Sequence, residues 1–250
     1  MATRAVRSNR NHNNRCVDDY FFPGMAVIIL ATVFIGFAHS YYLAGVFRTP
    51  LPNFLVHIHG AVFSGWIALL ITQTSLVAAG RVDLHRRLGL LGFALACLMV
   101  IFGLMVATDS MARHFARGQV GVSAKAFYAV PIMDMVAFTT LIYFGFRERF
   151  HPGAHKRLML IATIMITDAA FVRWFVPVSW WDLQAAQMCC YALLLLLVGF
   201  DLWSTRKIHR ATLGGSVFLF ALQQVRMPIG HTALWQSFAT WVLNLIGSSH

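Results

Sequence analysis

At 250 residues, 58% hydrophobic and only 12% charged, the chain carries about half the charged fraction of an ordinary soluble domain. Apolar runs of ~20 residues recur along its whole length, which excludes a soluble globular enzyme and leaves a single polytopic membrane domain. The net charge of +11 lies in loop lysines and arginines that set topology, and with no separate soluble domain to carry a polybasic surface it does not indicate nucleic acid.

In chain order, a basic N-terminal tail (1–22) carries Arg4, Arg7, Arg10 and Arg15. The apolar run that follows, 24–47, is too long for the core of a signal peptide and has no convincing cleavage pattern, so it is expected to be a retained first span. Further spans are expected over 54–79, 88–109, 125–146, 158–178, 183–203 and 212–228, giving a transmembrane domain over 23–230. The expected fold is thus all-α, a polytopic membrane helix bundle of about seven transmembrane helices. The closing segment, 231–250, carries Trp235, Phe238 and Trp241 at helical spacing; a short interfacial helix lying along the membrane is expected there. Cys16, Cys97, Cys189 and Cys190 have no metal-type spacing, and the adjacent pair reads as small apolar fillers.

Fourteen of the twenty lysines and arginines fall in the N-terminal tail and in the loops after the second, fourth and sixth spans. The positive-inside rule then puts the N-terminus in the cytoplasm and the C-terminus outside. Trp174, Trp180, Trp181, Trp235 and Trp241 fall at the outer interface in that orientation, as an aromatic belt does. Leu84-His85-Arg86-Arg87-Leu88, Ala154-His155-Lys156-Arg157-Leu158 and Ile208-His209-Arg210 each open an odd-numbered span. This short echo suggests three related helical hairpins.

Two polar layers carry the chemistry. The outer one holds Asp134 and Asp168 inside apolar runs, at a depth similar to His39 and His59, with His57, Arg173 and Arg226 nearby. An aspartate in hydrocarbon costs at least ~2.5 kcal/mol, so several at one depth point to use. Three uses stand open on these residues. The four charges of Asp134, Asp168, Arg173 and Arg226 cancel as paired ions. The same set can line a polar substrate cavity. Alternatively, imidazole with carboxylate suits iron, copper or zinc, and histidines on two facing helices suit haem. The second layer, His85, Arg86, Arg87, His155, Lys156, Arg157, His209 and Arg210, reads first as interfacial anchoring, and its histidines add the capacity to grip anionic groups. No lysine in the seventh span can carry a retinal Schiff base, and the chain has no H-E-x-x-H, Gly-rich phosphate loop or G-x-S-x-G.

Val56-His57-Ile58-His59-Gly60, Gln73, Leu84-His85-Arg86-Arg87-Leu88-Gly89, His155-Lys156-Arg157-Leu158-Met159 and the tail Arg226, Gly230, Thr232, Trp235, Phe238-Ala239 resemble a broad group of bacterial multi-span inner-membrane proteins. More loosely, the early-span histidine followed by Gln and Leu-His-Arg is similar to the haem-handling membrane proteins of cytochrome-oxidase assembly. The resemblance implies a multi-pass protein of the bacterial inner (cytoplasmic) membrane that binds haem or a metal through histidine. Asp134 and Asp168 match nothing in the haem-handling relatives, which leaves a mixed histidine–carboxylate centre open.

Two functions are expected from these readings. The first is a metal- or haem b-dependent membrane oxidoreductase acting on a quinol or another hydrophobic small molecule. Its metal ligands would be His39, His57, His59, Asp134 and Asp168. Asp134 and Asp168 would alternatively serve as catalytic proton carriers, and Arg173, Arg226, His85 and His155 would hold the cofactor. The second is a non-catalytic haem or metal assembly protein or a proton-coupled transporter, with the two aspartates as protonation switches. The Met227-Pro228-Ile229-Gly230 sequence hints at the broken helix such carriers use.

Overall fold

The computed structural model describes residues 2–50, 52–118, 122–174 and 180–247, and among them the side chains other than those of 2–16, 122, 123, 180–182 and 247. The tail arginines, Cys16, Trp180 and Trp181 therefore fall outside the described side chains. The chain is 92% helical with no strand among the described residues. Its helices are α1 (Ala2–Phe37), α2 (Ala44–Phe47), α3 (Phe54–Ala78), α4 (Val82–Ala116), α5 (Val122–Arg147), α6 (Pro152–Phe171), α7 (Trp180–Thr205), α8 (Arg210–Gly230) and α9 (Ala233–Gly247).

Local chemistry explains several of the ends. Asn53 caps α3, its side-chain oxygen accepting from the Val56 N–H at 2.9 Å, as the orphan donors of a first turn require. Pro152 opens α6, where its missing N–H costs nothing. His209 caps α8 by accepting from the Ala211 N–H at 3.1 Å. Pro228 lies within the last turn of α8, which runs on to Gly230, so the expected break at Met227–Gly230 is absent. The tail and the first span are one helix, since α1 continues from Ala2 to Phe37.

Five segments are long and apolar enough to cross a bilayer: Val17–Tyr42, Phe54–Ala78, Val82–Ala116, Ala124–Phe150 and Leu183–Thr205. Such a set belongs to a multi-pass membrane protein. α6 and α8 fall outside that set, because charged and amide side chains interrupt their apolar runs.

α6 is the axis of the bundle, packing against α1, α5, α7 and α8. α3 and α4 close the ring between α1 and α5, and α9 leans on α5. Phe138, Ile164, Met165, Leu197 and Leu219 are inaccessible at the centre. The outward faces are the reverse of a soluble protein: Leu91, Phe144, Leu195, Trp203 and Phe220 stand exposed, an apolar surface suited to lipid. Lipid is as apolar as leucine, so helix association here rests on close packing and polar contacts. Trp66 Nε1 donating to Thr163 Oγ1 at 3.2 Å, from α3 to α6, is one such contact.

The first span contains a detour. Ala38–Tyr42 is a five-residue π-helical turn, in which the Leu43 N–H reaches back to the Ala38 carbonyl at 2.8 Å. It seats Tyr41 and Tyr42 on α3. The Tyr41 hydroxyl donates to the His57 carbonyl at 3.2 Å, and the Tyr42 and Ser64 hydroxyls lie 2.7 Å apart.

Candidate functional site

Three helices meet at one guanidinium. Arg226 of α8 donates from Nη1 to Asp134 Oδ1 of α5 at 2.8 Å and from Nη2 to Asp168 Oδ2 of α6 at 2.5 Å. Arg226 is 0% exposed and Asp168 3%, while the Asp134 side chain keeps 17% of its surface. The approach of α8 to α5 depends on Gly230, where a Cβ would stand 2.4 Å from the Ala126 carbonyl oxygen.

The triad has two carboxylates and one cation. Arg173, the other counter-charge offered by the sequence, is elsewhere: it donates to the Ala169 carbonyl at 2.5 Å and lies 4.4 Å from the centre of the Phe37 ring. α6 ends at Phe171 and Val172–Trp174 forms a tighter turn, so Arg173 leaves the helix face that carries Asp168. The four-charge balance therefore does not form. Asp168 Oδ1 and Arg226 Nε are buried and have no hydrogen-bond partner among the described residues. So are both amide atoms of Gln223, one turn before Arg226 on α8.

The proposed histidine ligands have separate surroundings. His39 is exposed on the π-helical turn, its ring 4.8 Å from that of Phe47. His57 lies against Tyr41 at 5.5 Å. His59 is 4.1 Å from Phe63, with its buried Nδ1 unpartnered among the described residues. Gly60 completes that motif by leaving room for the Tyr41 ring, which a Cβ would meet at 2.8 Å. Among the described residues no group of three or more His, Cys, Asp or Glu side chains is arranged to hold a metal ion. The two carboxylates face a guanidinium where a metal would have to stand.

At the other end of the bundle the repeated His-Arg/Lys motifs converge. His85 and His155 have ring centres 6.2 Å apart. His155 Nδ1 meets the Gly145 carbonyl at 2.7 Å, the arrangement of a metal-ligating imidazole with Nε2 free. His85 differs. Gln73, with its amide turned to satisfy both ends, donates to His85 Nδ1 at 2.7 Å and accepts from the Gly89 N–H at 3.2 Å. That puts the His85 proton on Nε2, so the pair does not fit a haem or metal ion in this state.

Beside them lies a residue the sequence reading passed over. Asp201 of α7, 0% exposed, accepts from Arg157 Nε at 2.9 Å and from Arg157 Nη2. It also accepts from the His209 N–H at 3.0 Å and from Thr212 Oγ1 at 2.6 Å. The signal was the one that singled out Asp134 and Asp168, an acid at the end of an apolar run. Burial, and next the charge of Arg157, hold His209 below the usual imidazole value.

The two acid sites differ in kind. Asp201 has four donors for two oxygens and a cation of its own, which makes a closed structural clamp. The Asp134–Arg226–Asp168 site has one charge too many and, among the described residues, one buried carboxylate oxygen without a donor. Comparison with protein-family models, with functionally described proteins and with solved structures finds no match for this chain.

Proposed function

We propose that the protein is a proton-coupled carrier of the bacterial inner membrane and that the Asp134–Arg226–Asp168 triad is its protonation site. In this reading α1 and α3–α8 are the seven crossings, with the N-terminus inside, the C-terminus outside and α9 at the outer interface. The observation that carries it is the charge count. Two carboxylates on one guanidinium, Asp168 enclosed and Asp134 half-buried, leave an excess negative charge, and an uncompensated buried charge is costly enough that the group takes up a proton instead. The bare Oδ1 of Asp168 is where that proton has an open position. Its release re-forms a carboxylate beside Arg226 and strengthens the grip of α8 on α6. Uptake loosens it, so one proton can bias two packings of the helices around α6.

The test is infrared spectroscopy of the protein in lipid nanodiscs between about pH 5 and about pH 8. A carbonyl band of a protonated carboxyl is expected in the wild type, lost in Asp168→Asn or Asp134→Asn. Absence of that band from the wild type across the range would mean that both acids stay ionised, and the carrier reading would fail.

A further inference from the structure

The face that α8 turns into the bundle is not wholly apolar. Thr212, Gly215, Leu219, Gln223 and Arg226 are enclosed along it, at the spacing of a packed helical seam. Ser216 is half-buried with its hydroxyl oxygen out of reach of solvent. The seam starts at the Asp201 clamp, where Thr212 donates at 2.6 Å, and ends at the triad. At 1.5 Å per residue those ends are about 21 Å apart, most of a hydrocarbon core.

Between them runs a file of polar atoms with nothing to bond. Ser216 Oγ, both amide atoms of Gln223, Arg226 Nε and Asp168 Oδ1 are buried and unpartnered among the described residues. Gln223 is only 2% exposed. Buried polar atoms in folded proteins are satisfied, and where protein groups do not reach them ordered water does so. A hydroxyl and a primary amide both donate and accept, which is what a water file needs from its walls. Leu219, 0% exposed, interrupts the file between Ser216 and Gln223. Gly215, between Thr212 and Ser216, brings α6 close: a Cβ on it would stand 2.8 Å from Ile161 Cδ1.

We infer that the α8 seam is the proton route to the triad, two short water files on Ser216 and Gln223 separated by a hydrophobic gate at Leu219. The route rests on the triad being a protonation site, and it says by which path that site exchanges its proton. Each hop breaks one O–H bond and forms the next, so a proton leaving the Asp168 carboxyl passes water held by Gln223 and then, when the gate wets, water held by Ser216. It arrives at Thr212 beside the enclosed Asp201–Arg157 clamp, with Lys156 and His209 half-buried at its rim. The carboxylate left behind shares Arg226 with Asp134, so the excess negative charge returns and draws the next proton.

The experiment is proton flux into proteoliposomes carrying an internal pH dye, driven by a potassium diffusion potential. Leu219→Ser should raise flux about tenfold over wild type by wetting the gate. Ile29→Ser, an equally enclosed position on α1, which packs against α3, α6 and α7, should not. Adding Gln223→Leu or Asp168→Asn to Leu219→Ser should return flux to the wild-type level. Leu219→Ala serves as a milder second opening, with a smaller rise expected, should the serine variant fail to fold. Flux through both Leu219 variants no greater than through Ile29→Ser, or flux indifferent to Gln223→Leu, would overturn the route. If the protonated-carboxyl band persists in that case, the triad reading stands without it; if the band is missing from the wild type, the triad reading falls on its own evidence.

Discussion

Asp168 and Arg226 are joined by one oxygen and one nitrogen, 2.5 Å apart, while Asp168 Oδ1 and Arg226 Nε each remain without a partner among the described residues. A purely structural ion pair would be expected to use both oxygens in a bidentate fork. Here the guanidinium is instead divided between two acids, and that division sets the first expectation.

Removing the cation should hurt far more than removing one acid. Arg226→Met leaves two buried carboxylates together and should cost about 3–5 kcal/mol. Asp134→Asn leaves one acid on one guanidinium, so its stability should stay within about 1 kcal/mol of wild type. Thermal unfolding in detergent of the two variants beside wild type measures this. Equal losses would mean that the triad is fully ionised and only holds helices together.

The Asp201 clamp should behave in the opposite way. Asp201→Ala strands Arg157, which is 4% exposed, and removes the acceptor used by Thr212 and the His209 N–H. A loss of about 3–5 kcal/mol is expected, with the protonated-carboxyl band unchanged. A shift of that band on Asp201→Ala would show that the clamp titrates with the triad.

His209 gives the Asp201 end of the bundle an acid sensitivity. Its folded value lies below the ordinary 6.5, so the unfolded chain binds the extra proton as pH falls. Its contribution is complete above about pH 6.5 and is lost as pH drops through the folded value. Protonation also takes away the Nδ1 lone pair that receives the Ala211 N–H. Melting curves taken from about pH 8 down to about 5 should decline at the acid end for wild type and flatten for His209→Asn, which keeps a cap. The same decline in both would assign the acid sensitivity to another group.

Close approach of backbones predicts a contrast between two glycines of α8. Gly230→Ala must push α8 off the Ala126 carbonyl, 2.4 Å from the new Cβ, at about 1–3 kcal/mol. Gly214→Ala meets nothing within 4 Å and should gain up to about 1 kcal/mol from helix propensity. Paired thermal melts decide it, and two losses of similar size would refute the packing argument.

The triad was partly legible in the sequence because an acid inside an apolar run announces its own cost. Asp134, Asp168 and Arg226 stood out on that ground, and Asp201 carried the same signal unread. Arg173 misled because its spacing from Asp168 assumes a helix that continues, whereas α6 stops at Phe171. His39 misled for a related reason: the π-helical turn resets the facing of everything in it, and no 3.6-residue periodicity reports such a turn. Gln223 gave no signal, since a neutral amide in a span is unremarkable until its neighbours are seen to leave it unpaired. The start of α3 at Phe54 followed from its apolar run. The full reach of α1 and α4 did not, because hydropathy shows where lipid ends and a helix need not end there.

The π-helical turn at Ala38–Tyr42 makes the length of this stretch a fixed quantity. Excising one residue from it would restore ordinary winding and change the facing of the side chains within the turn. Tyr41 and Tyr42 could then no longer both reach α3. Insertions and deletions should therefore be rejected within the turn and tolerated better at Thr49 and Pro50, which follow it outside any helix.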